Sequence, residues 1–356
     1  MMQKSLCTIA VFLVLGLVLS IYLTGCWRRN YFLRIRPTVV NLEELNTKYD
    51  EFNTAAPPFY YSDLDFVFST NAHSEGGEYD IQYTKSYLRM DWDDDLDKEK
   101  TDKHTFEFEV KKGATPFLEE VSNSESNEYG PYIIHAEDEG FQLEDNYEGL
   151  EEEIFYFVAS DRKGEQFDIY YKKGSEELKA FPGNSPKDND YYLTYHRESN
   201  TLYYCSDRGD SYNIYSYRDE TASELEALLD IEVEPKPVEK LNSSGNDKTP
   251  YILGDVMVFV SDRDSAEGNF DIYFSKFENR SWSEPEKLPQ NIDSETDDSF
   301  HYLNSQHNEY RPILFEKRSK TEDVTNNLLM VFSSDRPGGK GGYDLYLAVL
   351  PLGIFN

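Results

Sequence analysis

Val331-Phe332-Ser333-Ser334-Asp335-Arg336, followed after Pro337-Gly338-Gly339-Lys340-Gly341-Gly342 by Tyr343-Asp344-Leu345-Tyr346, decides the fold. An apolar run of strand-forming residues enters a polar triplet that hydrogen-bonds nearby backbone, glycines supply the turn, and a second run returns with aromatic residues three apart. That is a hairpin, and it recurs upstream. The other copies are Phe66-Val67-Phe68-Ser69-Thr70 with Tyr79-Asp80-Ile81, Phe155-Tyr156-Phe157-Val158-Ala159-Ser160-Asp161-Arg162 with Phe167-Asp168-Ile169-Tyr170, Leu202-Tyr203-Tyr204-Cys205-Ser206-Asp207-Arg208 with Tyr212-Asn213-Ile214-Tyr215, and Val258-Phe259-Val260-Ser261-Asp262-Arg263 with Phe270-Asp271-Ile272-Tyr273. A repeat at this spacing fixes architecture before any local assignment does.

The Ser-Asp-Arg triplet occurs in four of the five copies, which argues for a structural role, since a turn is needed in every repeat and a catalytic group once per site. Asp161, Arg162, Asp207, Arg208, Asp262, Arg263, Asp335 and Arg336 are therefore read as turn clamps, in which a carboxylate or guanidinium ties one strand to its neighbour. The first copy has Ser69-Thr70-Asn71 instead, and the third has Asn213 where the others have Asp. Those departures put the clamps of blades one and three in question.

Between the hairpins run linkers that mostly share proline, an apolar anchor, then Asn and Asp, at 37–50, 116–127, 181–190, 237–247 and 285–297. Each reads as a short outer strand leading to the next inner strand, expected near Phe59-Tyr60-Tyr61, 131–135, 191–195, 250–253, and either 300–303 or 312–315. Four strands per unit make the blade of a β-propeller. The wording resembles the TolB-type, WD-like propeller repeat over about residues 37–349, and the resemblance implies an all-β propeller. The chain ends soon after the last hairpin, while residues 33–40 precede the first linker without a hairpin of their own. They are expected to complete the fifth blade and cover its open edge. Steps of 88, 45, 58 and 73 residues between equivalent second strands leave a six-bladed alternative, with a decayed blade hidden between 85 and 127.

The 356 residues carry 68 acidic against 35 basic side chains, a formal charge of -33, which excludes a nucleic-acid groove as the main activity. At 15% aromatic residues the chain can bury a sizeable core. An apolar stretch at 6–23 precedes Leu23-Thr24-Gly25-Cys26. It resembles a bacterial lipoprotein signal, which implies a signal peptide over 1–25, lipidation at Cys26, a tether over 26–32 and one propeller domain over 33–356. Trp27-Arg28-Arg29 after the cysteine favours the periplasmic face of the outer membrane over the cell surface. With Cys7 in the signal, Cys205 is left as a packing thiol in an apolar strand.

An acidic insertion near 88–103 holds Asp91, Asp93, Asp95 and Asp97 at calcium-loop spacing, but Leu96 and Asp102 stand where such a loop has glycine and glutamate. It is expected to be solvated, with calcium as the lesser reading, and no other cofactor is expected. Residues 221–231 read as a short helix opened by a Thr221-x-x-Glu224 capping box. The six histidines show no metal-ligand spacing and no nucleophile motif accompanies them. The expectation is a non-enzymatic, lipid-anchored platform for other envelope proteins, as the resemblance implies. The alternative is a carbohydrate-binding or carbohydrate-active propeller using its central funnel, for which exposed aromatics and carboxylates would speak; the aromatics here are assigned to the core.

Overall fold

Five antiparallel sheets of the same build follow one another along the chain. The computed structural model describes residues 38–355 other than 56–62, 92–104, 112–124, 136–153, 163, 165, 266, 290–306, 318–326 and 351–352. Blade one is β2 (Glu51–Ala55), β3 (Asp63–Thr70), β4 (Asp80–Asp91) and β5 (Thr105–Lys111); blade two is β6 (Glu128–His135), β7 (Ile154–Ser160), β8 (Asp168–Lys173) and β9 (Lys179–Ala180). Blade three is β10 (Asp190–His196), β11 (Thr201–Ser206), β12 (Asn213–Tyr217) and β13 (Lys236–Pro237). Blade four is β14 (Asp247–Leu253), β15 (Val256–Ser261) and β16 (Asp271–Glu278), whose edge carries both β17 (Ser281–Trp282) and β18 (Glu286–Lys287).

Blade five takes β19 (Glu309–Lys317), β20 (Asn327–Ser334) and β21 (Asp344–Leu350) from the end of the chain and β1 (Thr38–Asn41) from its beginning. The register runs from Thr38 opposite Val349 to Asn41 opposite Tyr346. The ring is thus a five-bladed β-propeller closed by the amino-terminal strand. Within the 85–127 segment of the six-bladed alternative, β5 is the outer edge of blade one.

Strands β7, β11 and β21 are buried along their whole length, because a blade inside the ring has neighbours on both faces. That is why these runs read as continuously apolar instead of alternating. Ala55, Val67 and Ile81 of blade one pack with Ile133, Ile154, Tyr156 and Val158 of blade two, and Tyr203 and Ile214 of blade three pack with Ile252, Met257 and Phe259 of blade four. Each such side chain contributes about 1.5–3 kcal/mol by leaving water, so the contacts between blades carry the ring.

Among the described residues, the linkers that follow blades two, three and five share one device. The Asn184 amide grips the backbone of Ile169 from both sides, accepting from its N–H at 2.9 Å and donating to its carbonyl at 2.8 Å. Asn242 does the same to Ile214, and Asn46 to Leu345 across the chain's two ends. At that closure the glycines of the last turn admit blade one: a Cβ on Gly341 would fall 1.6 Å from the Tyr49 carbonyl oxygen.

The helix is shorter than expected. α1 spans Leu225–Leu229, with Leu225, Leu228 and Leu229 buried, and Glu224 at its N-cap makes no side-chain capping bond. Thr221 bonds Asp219 instead, with its N–H 2.7 Å from the carboxylate, so a local turn replaces the capping box. The inner strand of blade one is Glu51–Ala55, and Phe59-Tyr60-Tyr61 lie outside the described residues. Of the two candidates for blade five, β19 takes the segment containing 312–315.

Candidate functional site: an aromatic funnel on the propeller axis

Every inner strand begins with an acidic residue, continues with an aromatic residue or lysine, and then bulges. The triads are Glu51-Phe52-Asn53, Glu128-Tyr129-Gly130, Asp190-Tyr191-Tyr192, Asp247-Lys248-Thr249 and Glu309-Tyr310-Arg311, and the register slips after the second residue in each blade. The third residue is left-handed throughout, with φ of 59° at Asn53, 58° at Gly130, 59° at Tyr192, 54° at Thr249 and 44° at Arg311. Four of these carry a side chain, for which the conformation costs about 1–2 kcal/mol each, and such strain persists where surroundings impose it and use it.

The acidic residue is anchored from within its own blade. Arg208 reaches Asp190 at 2.7 Å, Arg263 reaches Asp247 at 2.5 Å, Arg336 reaches Glu309 at 2.7 Å and Arg162 reaches Glu128 at 3.3 Å. Burial pushes the Glu309 carboxyl up to about 8 against the pull of Arg336, and burial raises Asp190 against Arg208. The residue before each acid is Asn127, Asn189, Asn246 or Asn308. Both its backbone N–H and its amide nitrogen donate to the aspartate of the triplet, at 2.9 and 2.8 Å on Asp161, 2.6 and 2.7 Å on Asp207, 2.7 and 2.7 Å on Asp262, and 2.8 and 2.7 Å on Asp335. Its amide oxygen then accepts from the preceding blade, at the backbone N–H of Tyr79, Phe167, Tyr212 or Phe270.

Blade one exchanges the two partners. Asp50 stands where the others have Asn, Asn71 where they have Asp, and the Asp50 N–H donates to the Asn71 amide oxygen at 3.0 Å. Asp50 still accepts from the Tyr343 N–H of blade five at 3.0 Å. Without an arginine there, Glu51 accepts from the Thr47 hydroxyl at 2.6 Å and the Thr70 hydroxyl at 3.2 Å. In blade three, Asn213 donates to the Ser211 carbonyl.

This scaffold places ten side chains in a closed belt around the axis. In order they are Phe52, Tyr79, Tyr129, Phe167, Tyr191, Tyr212, Lys248, Phe270, Tyr310 and Tyr343. Neighbouring ring centroids lie 4.8 Å apart for Phe52–Tyr79, 5.1 Å for Tyr79–Tyr129, 5.0 Å for Tyr129–Phe167, 4.9 Å for Phe167–Tyr191 and 6.2 Å for Tyr191–Tyr212. The Lys248 ammonium bridges the gap, 4.0 Å from the Tyr212 centroid and 5.0 Å from Phe270. Phe270–Tyr310 at 5.2 Å, Tyr310–Tyr343 at 5.5 Å and Tyr343–Phe52 at 6.0 Å complete it.

Inside the belt is an open cavity of about 230 Å³, lined by Phe52, Tyr129, Tyr191, Tyr192, Tyr212, Lys248, Tyr310 and Tyr343. Tyr192 enters where Gly130 leaves room: a Cβ there would stand 2.4 Å from the tyrosine ring. Burial raises the phenols of Tyr129, Tyr191, Tyr212, Tyr310 and Tyr343, so they stay protonated and can donate hydrogen bonds. The lining offers ring faces, phenolic hydroxyls and one ammonium, and none of the eight is a carboxylate.

The residues singled out from sequence fall elsewhere. The aspartates and arginines of the triplets sit behind the belt with the contacts given above. Asp91 ends β4 opposite Thr105, so the acidic insertion joins the last two strands of blade one. Asp93, Asp95, Asp97 and Cys26 lie outside the described residues, as do the segments 1–25 and 26–32. Among the described residues no group of three or more His, Cys, Asp or Glu is placed to hold a metal. What sequence reasoning missed is the belt. Its signal was present as Asn or Asp, then an acid, then an aromatic or lysine, at 50–52, 127–129, 189–191, 246–248 and 308–310.

No family model and no curated protein matches the chain. Among solved structures it is similar to the catalytic domain of a GH62 alpha-L-arabinofuranosidase from Coprinopsis cinerea, at 10% identity and a TM-score of 0.46 over 89% of this chain and 97% of that one. It is similar to a fructofuranosidase from Schwanniomyces occidentalis at 12% identity and 0.43, over 88% and 58%, and to TolB from Acinetobacter baumannii at 12% and 0.32, over 85% and 63%. At such identities the likeness concerns the fold. The expectation of a non-enzymatic interaction platform with its aromatics in the core is corrected by the site itself: Phe52, Tyr129, Tyr191, Tyr212, Tyr310 and Tyr343 line an open funnel.

Proposed function

We propose that the propeller binds carbohydrate in the axial funnel. The observation that carries this reading is the half-buried belt of ring faces closed around an open cavity. A pyranose presents apolar C–H faces bordered by hydroxyls, and tyrosines answer both, with a flat apolar ring and a polar tip. Pockets for small ligands are mostly apolar with a few convergent polar groups, as here. A rim held by repeated bonds from blade to blade keeps the rings in place before ligand arrives, which lowers the ordering cost of binding. The lipoprotein-like segment supports a body held at the outer membrane through Cys26, checked by whether labelled fatty acid enters the protein and fails to enter Cys26→Ser.

The test of the sugar reading is a glycan array followed by calorimetry on the retained oligosaccharides. Tyr191→Ala and Tyr310→Ala should each weaken binding about tenfold while the folded protein keeps its melting behaviour. Retention of no glycan, or affinity in both variants unchanged from that of the parent protein, would reject the reading.

A further inference from the structure

The belt breaks its own rule once, at Lys248. In blades one, two, three and five the equivalent residue is Phe52, Tyr129, Tyr191 or Tyr310. Lys248 is half-buried in the cavity wall, and among the described residues no carboxylate lies within ion-pair distance of its ammonium. The carboxylates that act on it through space are Asp262 and Asp207, each already accepting two hydrogen bonds from Asn246 or Asn189. Burial lowers the Lys248 pKa, and those two carboxylates pull it back up.

A second cation lies under the floor. Arg311 is fully buried, its guanidinium 5.5 Å from the Tyr192 centroid and 6.0 Å from that of Tyr251. One nitrogen donates to the Pro250 carbonyl at 2.9 Å, while Nε and Nη2 have no partner. Burial lowers its pKa to about 10, which leaves it charged at neutral pH. A chain with about two acidic residues for each basic one has thus placed one cation without a carboxylate in the cavity wall and a second behind Tyr192, which lines the cavity. Burying a charge without a counter-ion is expensive.

We propose that the funnel selects sugars bearing a carboxylate, with Lys248 making the charged contact in the wall and Arg311 adding a positive field through the tyrosine floor. This rests on the carbohydrate reading and narrows it to acidic sugars, in which ring stacking supplies area and the ammonium supplies selection. Lys248 is a specificity-determining residue, and its ammonium, lying between Tyr212 and Phe270, also completes the belt.

The experiment is calorimetric titration with oligogalacturonate, oligomannuronate and glucuronate-bearing xylo-oligosaccharides, each compared with its methyl ester. At least one acid form should bind about tenfold tighter than its ester, the worth of one charge-assisted hydrogen bond. Lys248→Met keeps an unbranched side chain at this position; whatever its overall affinity, the ratio of acid to ester binding in this variant should fall to about one. Lys248→Arg should retain the preference, and melting curves show whether each variant is folded. Acid and ester bound equally by the parent protein would overturn selection and leave the carbohydrate reading standing. A preference that survives Lys248→Met would overturn the assignment of this residue, and absence of binding to any sugar, acidic or neutral, would overturn both readings.

Discussion

Two layers of the same inner strands follow opposite rules. In the clamp layer four blades make one set of bonds, and blade one, with Asp50 in place of Asn, Asn71 in place of Asp and threonines in place of the arginine, still reaches Tyr343 of blade five. In the axial layer, one and two residues further on, the backbone repeats and the side chains do not. Five left-handed positions hold Asn53, Gly130, Tyr192, Thr249 and Arg311. A ring needs equivalent joints, so the clamp tolerates only compensated changes. A ligand has no fivefold symmetry, so the surface meeting it has reason to differ from blade to blade.

The comparison can be broken hardest at a clamp. Arg263→Met leaves Asp247 buried without its cation, and since removal of one partner from a buried pair costs about 3–5 kcal/mol, chemical denaturation should show a loss near the low end because Arg263 is 16% exposed. A smaller loss is expected at the axis from Gly130→Ala, where a left-handed alanine costs about 1–2 kcal/mol and the added Cβ must displace Tyr192. Unlike the clamp variant, it should also change sugar affinity.

Blade one sharpens the contrast. Asn71→Asp sets a carboxylate beside Asp50 and should cost about 1–2 kcal/mol, whereas the double variant Asp50→Asn with Asn71→Asp rebuilds the arrangement of the other blades and should recover most of it. A double-mutant cycle measures the coupling. The smallest effect concerns Cys205 in β11, whose thiol burial pushes up to about 12. The thiolate is the nucleophile. Alkylation of the native protein should therefore stay far slower than that of the unfolded chain throughout pH 7 to 9.5, because only the unfolded thiol, with a pKa of about 8.5, ionises within that range.

Legibility from sequence followed the same division. The hairpins were readable because Ser-Asp-Arg and the aromatic-Asp-Ile-Tyr strand recur, and closure by the first strand followed from counting four strands to a blade. The inner strands of blades two and four were placed three residues late, at 131–135 and 250–253, where the apolar run resumes after the bulge. Their true starts, Glu128 and Asp247, look like loop residues, because a buried acid is favourable only beside Arg162 or Arg263, more than a dozen residues away. The belt was hidden for a related reason. Tyr129 and Tyr191 satisfy the requirements of a core strand as well as those of a binding wall, and only the bulge decides which way they face. Arg311 had no local signature, since its burial without a carboxylate beside it is a fact of the assembled ring.

The most direct measurement is a diffraction structure of the protein with the tightest-binding oligosaccharide. The account expects a sugar ring within the belt, its apolar face against Tyr129, Tyr191 or Tyr310 and its substituents within reach of Lys248. Sugar bound at an outer blade edge, with the funnel unchanged, would contradict it.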